Sequence, residues 1–308
     1  MAAERGAARS GGMDVVHETM SRRHLLAGLA AIGITPGVAR QPDARAGASR
    51  RIFITGATDG LGLAAARSLI GQGHAVLLHA RSRERAASIE AIVAGGMGVV
   101  VGDLSSGAET RALAESVNKH GRMDAVIHNA GIVGRSGRAN TVDGHASTLA
   151  VNALAPYILT ALIERPARLL YLSSSMHRGA SASLNDVNWN KRPWDADLAY
   201  SESKLYVTAL ALAVARRWPA VLANAVDPGW VPTRMGGPDA PDDLALGHAT
   251  QEWLAVSDDD AARVSGGYWH HRRQTAPVKE ARDTAFQNRL LAKCAELTGV
   301  VLPISPGS

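Results

Sequence analysis

From Arg51 onward the chain alternates short, continuously apolar runs with longer helical patterns, and no other feature constrains its fold as much. The apolar runs lie at 51–55, 75–80, 97–101, 124–128, 168–172 and 220–226. The helical patterns lie at 60–72, 83–93, 109–119, 146–162 and 198–216. A strand that is apolar at every position is typical of a sheet covered on both faces, and strands that alternate with helices form right-handed βαβ units. The sequence therefore predicts an α/β fold, a doubly wound parallel sheet with helices on both faces, in a single domain over 51–308.

Residues 1–50, which we call the leader, do not show this alternation. The leader contains the pair Arg22-Arg23, a weakly apolar run over 25–39 and the triplet Ala44-Arg45-Ala46. This order resembles a twin-arginine export signal, and an arginine-rich disordered segment or a later start at Met13 or Met20 is the alternative. The run is too short and too rich in Gly to span a membrane, so no membrane span is expected. Localisation stays open between export and the cytoplasm.

Charge and cysteine content argue against two classes of site. The formal net charge is +5, but residues 1–51 hold eight Arg against four acidic residues, so the rest of the chain is nearly neutral. A neutral body does not favour nucleic acid as a partner. Cys294 is the single cysteine, which excludes an internal disulfide and argues against a Cys-based metal site. His270 and His271 are adjacent in a predicted strand, where they would point to opposite faces, so we expect no metal.

A glycine-rich segment, Thr55 to Gly62, joins the first predicted strand to the first helix. Gly56 permits a tight turn, Gly60 lets the backbone approach a pyrophosphate, and Gly62 lets the helix pack closely on the sheet. The N–H groups and dipole of a helix N-terminus favour an anion at this place. We therefore predict a dinucleotide site here, formed by Gly56, Thr58, Asp59, Gly60, Leu61 and Gly62.

The end of the second strand predicts which dinucleotide binds. An acid at this place would accept hydrogen bonds from the adenosine ribose and repel a 2′-phosphate, whereas the sequence has Arg81 and Ser82. Arginine pairs with phosphate, and a serine hydroxyl can donate to it. We predict NADP, with NAD less favoured. Asp59 in the glycine-rich turn argues mildly against NADP, because its negative charge could lie near the 2′-phosphate. The alternative for Arg81 is a solvated loop residue with no role in binding.

Tyr200 and Lys204 are four residues apart at the start of a helical pattern, so their side chains share one face. Hydride transfer to a carbonyl leaves an alkoxide that must gain a proton. A phenol with a pKa near 10 is a poor partner at neutral pH, and an adjacent ammonium lowers that pKa. We therefore predict Tyr200 as general acid in reduction, or base in oxidation, with Lys204 lowering its pKa.

Together these segments resemble the short-chain dehydrogenase/reductase family, because six motifs occur in that family's order. They are the glycine-rich turn, Asp103-Leu104, His128-Asn129-Ala130-Gly131, Val151-Asn152, Tyr200 with Lys204 after Ser173-Ser174-Ser175, and Pro228-Gly229-Trp230-Val231-Pro232-Thr233. The resemblance implies a Rossmann-type fold that binds NAD(P). His128 departs from the family, which has Asn there.

The resemblance also implies roles for single residues. Those expected to contact the cofactor are Asp103 and Leu104 near the adenine, then Asn129, Ala130 and Gly131, then Pro228, Gly229, Val231 and Thr233 by the nicotinamide, with Lys204 on its ribose. Ser174 would orient the substrate oxygen, with Ser173 or Ser175 as alternatives. Asn152 would anchor a water in a proton relay to Lys204, and a role in a helix kink or cap is the alternative.

The segment between Ser174 and Tyr200 is longer than is common in the family. It resembles the retinol-dehydrogenase-like and protochlorophyllide-reductase-like relatives, and it contains Trp189 and Trp194. The loop would either cover an apolar ligand or be a surface excursion that its tryptophans anchor. The sequence thus predicts an NADP-dependent oxidoreductase that interconverts a small, apolar carbonyl and alcohol. A non-catalytic NAD(P)-binding sensor or scaffold is the alternative, and a homo-oligomer is possible.

Overall fold

Eight strands form one sheet within residues 48–90, 94–134 and 137–304, the parts of the chain that this computed structural model describes. Their order is β3-β2-β1-β4-β5-β6-β7-β8. The strands are β1 Arg51–Ile54, β2 Ala75–Ala80, β3 Gly98–Val101, β4 Ala125–His128, β5 Arg168–Leu172, β6 Leu222–Asp227, β7 Tyr268–His270 and β8 Arg273–Thr275. Strands β1 to β7 pair in parallel, which confirms the predicted doubly wound sheet. The proposed signal in the leader lies outside the described residues, apart from 48–50, and stays a prediction.

Helices connect the strands as the sequence pattern predicts. They are α1 Gly60–Gly71, α2 Arg83–Ala87, α3 Gly107–Lys119, α4 Ser147–Leu149, α5 Ala155–Leu162, α6 Ala196–Arg217, α7 Leu244–Val256, α8 Lys279–Arg282 and α9 Thr284–Thr298. A helix is predicted over 83–93, but among the described residues of that range α2 ends at Ala87. The predicted helix 146–162 contains a π-helical segment, Ala150–Leu154, between α4 and α5.

Apolar side chains of one strand enter two different cores, which explains why the strand runs are continuously apolar. Phe53 of β1 joins the core on the side of α5 and α6, whereas Ile52 and Ile54 join the core on the side of α1. Burial on both faces is therefore a consequence of the alternating direction of side chains along a strand.

The carboxyl ends of the parallel strands meet at one edge of the sheet, where ligands bind in open α/β folds. Strand β1 lies between β2 and β4, so the chain order reverses beside it. The glycine-rich turn after β1, the Asn129 segment after β4 and the serines after β5 therefore come together.

Helix α9 and the residues that follow it, as far as Pro303, cover α5 and α6. Helix α9 packs along α6, the hydroxyl of Tyr157 donates to the carbonyl of Val300 at 2.8 Å, and the indole of Trp218 donates to the carbonyl of Pro303 at 2.8 Å. None of the described helices is both long and apolar enough to cross a membrane.

Candidate active site

The glycine-rich turn has the shape that the sequence predicts. Gly56 has a φ of +64°, a conformation that favours glycine. A Cβ on Gly62 would lie 2.5 Å from the carbonyl oxygen of Gly56 and would also overlap the amide of Asn129. Asp59 caps α1, because its carboxylate accepts from the N–H of Gly60 at 2.8 Å. The turn is thus a narrow backbone cradle at a helix N-terminus, and it fits a dinucleotide phosphate.

Two side chains hold this cradle in place, and neither role was predicted. The N–H of Gly56 donates to Nδ1 of His79 at 2.9 Å. Nε2 of His79 must then carry the proton, and it donates to the carbonyl of Gly102 at 2.7 Å. Burial lowers the pKa of His79, in keeping with this neutral ring. Asn129 donates to the carbonyl of Thr55 at 2.9 Å. The sequence signal that could have revealed the role of His79 is its place as a polar residue within the apolar run at 75–80.

Arginines surround the place where the 2′-phosphate is expected. Arg81 is exposed at the end of β2, and the hydroxyl of Ser82 caps α2. Arg85, which sequence reasoning missed, donates to the hydroxyl of Thr58 at 3.3 Å and lies 3.4 Å from the carboxylate of Asp59. The acid that was expected to oppose a phosphate is therefore paired with a cation.

The Pro228 to Thr233 segment reaches back over the glycine-rich turn. A Cβ on Gly60 would lie 3.2 Å from Cγ2 of Thr233. One on Gly247 of α7 would lie 2.7 Å from Val231 and 2.9 Å from Leu61. The two predicted cofactor segments thus face each other across a short distance. On the opposite side, Asp103 follows β3 and accepts from the N–H of Ser105 at 2.9 Å, while Leu104 is buried.

Tyr200 and Lys204 lie on α6, which begins where Asp195 caps it by accepting from the N–H of Leu198 at 2.9 Å. Nζ of Lys204 lies 5.4 Å from the ring centre of Tyr200 and donates to the carbonyl of Leu172 at 2.8 Å. Both residues are buried. Gly131 closes this corner, since a Cβ there would lie 3.3 Å from Nζ of Lys204.

The three serines after β5 have different surroundings. Ser173 is buried and hydrogen-bonds the hydroxyl of Thr208 at 2.5 Å. Ser175 is exposed. Ser174 lies beside the side chain of Tyr200, whose pKa it acts to lower, and it accepts from the N–H of Met176 at 3.2 Å. Of the three, Ser174 is the one that acts on the Tyr200 side chain, and its role toward a substrate oxygen stays a prediction.

Asn152 sits in the π-helical segment and is 1% exposed. Its Oδ1 accepts from the N–H of Ile132 at 2.8 Å, and its Nδ2 donates to the carbonyl of Ile132 and to the hydroxyl of Ser203, both at 2.9 Å. Both amide protons are used, so the side chain fixes the segment after β4. Local π-helical turns are frequent at functional sites. The water-anchoring role stays a prediction.

Burial dominates the acid–base properties of the pair. It raises the pKa of Tyr200 to about 12, against the lowering effect of the Ser174 hydrogen bond and with a further increase from Asp227. It lowers the pKa of Lys204 to about 8, against the raising effect of Asp227. Lys204 is not among the causes of the Tyr200 shift, so the lowering of the Tyr200 pKa by Lys204 stays a prediction.

His128, where the family has Asn, belongs to the core. Its ring stacks on Tyr171 at 4.7 Å, and Nε2 lies 3.2 Å from the hydroxyl of Thr160. Burial lowers its pKa to about 3, so it is neutral. The substitution therefore changes packing behind β4 and leaves the neighbouring Asn129 in the site.

The tryptophans of the long loop anchor it to the body of the protein. Trp189 is 5% exposed and lies beneath Arg192, whose guanidinium carbon is 3.5 Å from the ring centre. Arg192 pairs with the buried Glu202 of α6 at 2.5 Å. Trp194 packs edge-on against Trp189 and lies over Gly134, where a Cβ would be 2.7 Å from Cζ2. These contacts favour the expectation that the loop is a surface excursion anchored by its tryptophans over the expectation that it covers an apolar ligand.

His270 and His271 do not point to opposite faces of a strand as predicted, because the strand ends at His270. His271 lies in the turn between β7 and β8, with a φ of +47°, and its ring stacks on that of His270 at 3.9 Å. Nothing in the described ranges forms a group of three or more His, Cys, Asp or Glu side chains that could hold a metal.

Comparison with known proteins assigns the chain and its fold to one family. Residues 50–243 match the family model of the short chain dehydrogenases. The chain is 41% identical over 257 residues to the short-chain dehydrogenase chyC of Penicillium rubens, which covers 82% of this chain and 99% of that protein. The chain belongs to the short-chain dehydrogenase family.

Further similarities agree with this assignment. The short-chain dehydrogenase described here is 29% identical over 289 residues to human retinol dehydrogenase 13, covering 82% of this chain and 86% of that one. A crystal structure of an uncharacterized Mycobacterium paratuberculosis protein superposes with a TM-score of 0.71 and 28% identity over 83% of this chain and 95% of the other. Pseudomonas aeruginosa RhlG, solved as an NADP active-site complex, has a TM-score of 0.57 and 23% identity over 71% and 93%.

Family membership makes this short-chain dehydrogenase an oxidoreductase that acts on CH–OH and C=O groups of small molecules. All predicted catalytic and cofactor residues, from Gly56 to Thr233, fall inside the matched range. Helices α7, α8 and α9 and strands β7 and β8 lie beyond it.

Proposed function

We propose that this short-chain dehydrogenase is an NADP-dependent carbonyl reductase or alcohol dehydrogenase in which Tyr200 moves the proton. The observation that carries the proposal is the grouping of Tyr200, Ser174 and Lys204 at the same sheet edge as the glycine-rich turn. A proton donor, an orienting hydroxyl and a buried cation beside a dinucleotide cradle suit hydride transfer to a carbonyl.

When bound, the nicotinamide supplies or accepts the hydride at the substrate carbon. The hydroxyl of Ser174 donates a hydrogen bond to the substrate oxygen and holds it against Tyr200. In reduction the Tyr200 phenol gives its proton to that oxygen, and the product is the alcohol. The phenolate that remains is stabilised by the Lys204 ammonium, which is charged at neutral pH because its pKa is about 8. In oxidation the same proton moves in the opposite direction.

The preference for NADP rests on charge at the end of β2. Arg81 is exposed there, and Arg85 neutralises Asp59, the one acid of the glycine-rich turn. Both features favour a 2′-phosphate over a free ribose hydroxyl. A fold relative that was solved with NADP is consistent with this choice.

An apolar substrate is supported by exposed side chains on the two segments that flank the site. Trp230 directly follows Gly229 and is 57% exposed, while Met176 lies two residues after Ser174 and is 40% exposed. The indole N–H of Trp230 is satisfied by the carbonyl of Gly236 at 2.8 Å, which leaves an apolar ring surface. Exposed apolar side chains at the mouth of a site are suited to bind an apolar carbonyl or alcohol.

The decisive experiment compares two tyrosines of α6. Tyr200→Phe removes the proposed proton donor, and turnover of a panel of ketones, aldehydes and alcohols should fall by about 100-fold or more. Tyr206→Phe is the matched control, because its hydroxyl donates to the carbonyl of Ser183 at 3.1 Å in the long loop. NADPH binding, measured by fluorescence, should persist in both variants. Near-normal turnover by Tyr200→Phe would refute the assignment, and tight NADPH binding with no turnover of any substrate by the wild type would favour a sensor.

A further inference from the structure

His177 is a buried residue that the proposed reaction does not use, and it contacts the backbone of the proposed substrate-orienting serine. It lies in the 3-10 turn Ser175–Gly179, which starts directly after Ser174, and it is 0% exposed. Its Nδ1 is 2.7 Å from the carbonyl oxygen of Ser174. Its Nε2 accepts from the N–H of Val278 at 3.2 Å. Since a backbone N–H only donates, Nδ1 carries the proton and donates to Ser174.

The ring of His177 is fixed by its neighbours as well as by its two nitrogens. It packs on the ring of Tyr268 at 4.8 Å, and the hydroxyl of Tyr268 donates to the carboxylate of Asp227 at 3.1 Å. Burial lowers the pKa of His177, with a further decrease from Arg178 and opposing increases from the Ser174 carbonyl and Asp227. The neutral ring that this geometry requires is thus the stable form.

Val278 belongs to the segment between β8 and α8, which lies beyond the range matched by the family model. A second bond ties the same segment to the same 3-10 turn, since Arg178 donates to the carbonyl of Ala276 at 2.7 Å. His177 and Arg178 differ in what they join to this segment. His177 joins the segment to the backbone of Ser174, whereas Arg178 joins it to the turn alone.

We propose that His177 is a positioning residue that sets the direction of the Ser174 hydroxyl by holding the Ser174 carbonyl at one end and Val278 at the other. Ser174 has an extended backbone, with φ −165° and ψ 151°; its Oγ accepts from the N–H of Met176 at 3.2 Å, and its side chain lies beside Tyr200. Rotation of the peptide unit that carries the Ser174 carbonyl would move this hydroxyl. The inference rests on the proposed function, because it gives Ser174 its role toward the substrate oxygen.

Two substitutions at His177 distinguish the hydrogen bond to the Ser174 carbonyl from the one to the Val278 N–H. His177→Asn keeps an amide donor near the position of Nδ1, whereas His177→Phe keeps the ring and loses both bonds. We expect kcat to fall about 10- to 100-fold in the Phe variant, the scale of a misplaced reacting group, and to recover to within about 3-fold in the Asn variant. Binding of NADPH should be unchanged in both. Arg178→Ala, the control that cuts the bond to Ala276 and leaves both hydrogen bonds of the His177 ring in place, should leave kcat within about 2-fold.

A double-mutant cycle tests whether His177 acts through Ser174. In the Ser174→Ala background, His177→Phe should lower kcat by no more than about 2-fold further, because the hydroxyl that it positions is already absent. Full additivity of the two losses would overturn the proposal, as would an equal loss in Arg178→Ala.

NMR of the wild-type protein tests the proposal without an activity assay, so it applies even if a variant does not fold or no substrate is found. The ¹⁵N shifts of His177 in the wild-type protein should report a neutral ring with the proton on Nδ1. A proton on Nε2 would overturn the proposal by itself. Failure of the wild type to reduce or oxidise any substrate would instead count against the proposed function, and the ¹⁵N result would still decide the contact to Ser174.

Discussion

Replacing Lys204 with methionine should abolish catalysis and yet stabilise the fold at pH 7. Burial lowers the pKa of the Lys204 ammonium from 10.5 to about 8. Each pKa unit corresponds to about 1.4 kcal/mol, so the folded protein bears a cost of about 3 kcal/mol to keep this charge. Methionine has a similar length and carries no charge. It also loses the 2.8 Å bond to the carbonyl of Leu172, which costs about 1–2 kcal/mol. The net expectation at pH 7 is a free energy of unfolding higher by about 1–2 kcal/mol.

The dependence on pH distinguishes this explanation from better packing. In the unfolded chain Lys204 keeps its proton up to about pH 10.5, whereas in the folded protein it loses the proton above about pH 8. Between these values the unfolded state binds more protons, so the wild type gains stability as the pH rises. The advantage of Lys204→Met should therefore shrink by about 1.4 kcal/mol per pH unit above pH 8 and vanish near pH 9.

Urea unfolding of the cofactor-free proteins from pH 7 to 9.5 measures this difference directly. Lys119→Met on α3 is the control, because Lys119 is exposed and the same substitution there removes no buried charge. Two results would refute the reasoning: a Lys204→Met protein that is less stable than the wild type at pH 7, or a stability difference between the two proteins that does not change from pH 7 to 9.5.

Four further outcomes are expected. Arg81→Asp should weaken NADPH binding by at least about 10-fold and NADH binding little, as measured by cofactor fluorescence, and a wild type that prefers NADH would contradict the cofactor proposal. Gly62→Ala should cost about 1–3 kcal/mol in urea unfolding and weaken NADPH binding, because its Cβ meets the Gly56 carbonyl, whereas Gly71→Ala has open space and should not destabilise. Trp230→Ala should raise KM for large apolar substrates more than for small ones, and equal KM values for both would argue against an apolar contact. The leader, fused to a folded reporter, should direct export that is lost when its arginine pair is changed to lysines; retention of both forms in the cytoplasm would favour a disordered segment.

Features that depend only on neighbouring residues could be predicted from the sequence. The strands and the glycine-rich turn are the best examples. A continuously apolar run identifies a doubly buried strand wherever it lies, and Gly56 and Gly62 are placed by a turn of eight residues. Carboxyl ends of parallel strands then converge by topology alone. Tyr200 and Lys204 needed only the period of a helix.

Contacts between distant segments were not predictable in the same way. Arg85 reaches Asp59 across 26 positions, and His177 reaches Val278 across 101. Neither residue stands out by type, because the chain is rich in arginine and a histidine after a strand has many possible partners. The π-helical segment around Asn152 has no sequence signal of its own, since its residues fit the helix pattern at 146–162 as well as any others.

The choice among Ser173, Ser174 and Ser175 shows why site assignment needs the sheet register. Side chains alternate along an extended chain, so a shift of one residue exchanges the inward and outward positions. The N–H of Ser173 still donates to the carbonyl of Val226 at 2.7 Å, which continues the ladder with β6 and turns its hydroxyl toward Thr208 in the interior. Ser174 is then the first residue beyond the ladder, and it faces Tyr200. The register depends on β6, and the turn that follows depends on Val278 through His177. We therefore expect the choice of the orienting serine to depend on Val226 and Val278, which lie far from Ser174 in the sequence and which no local motif contains.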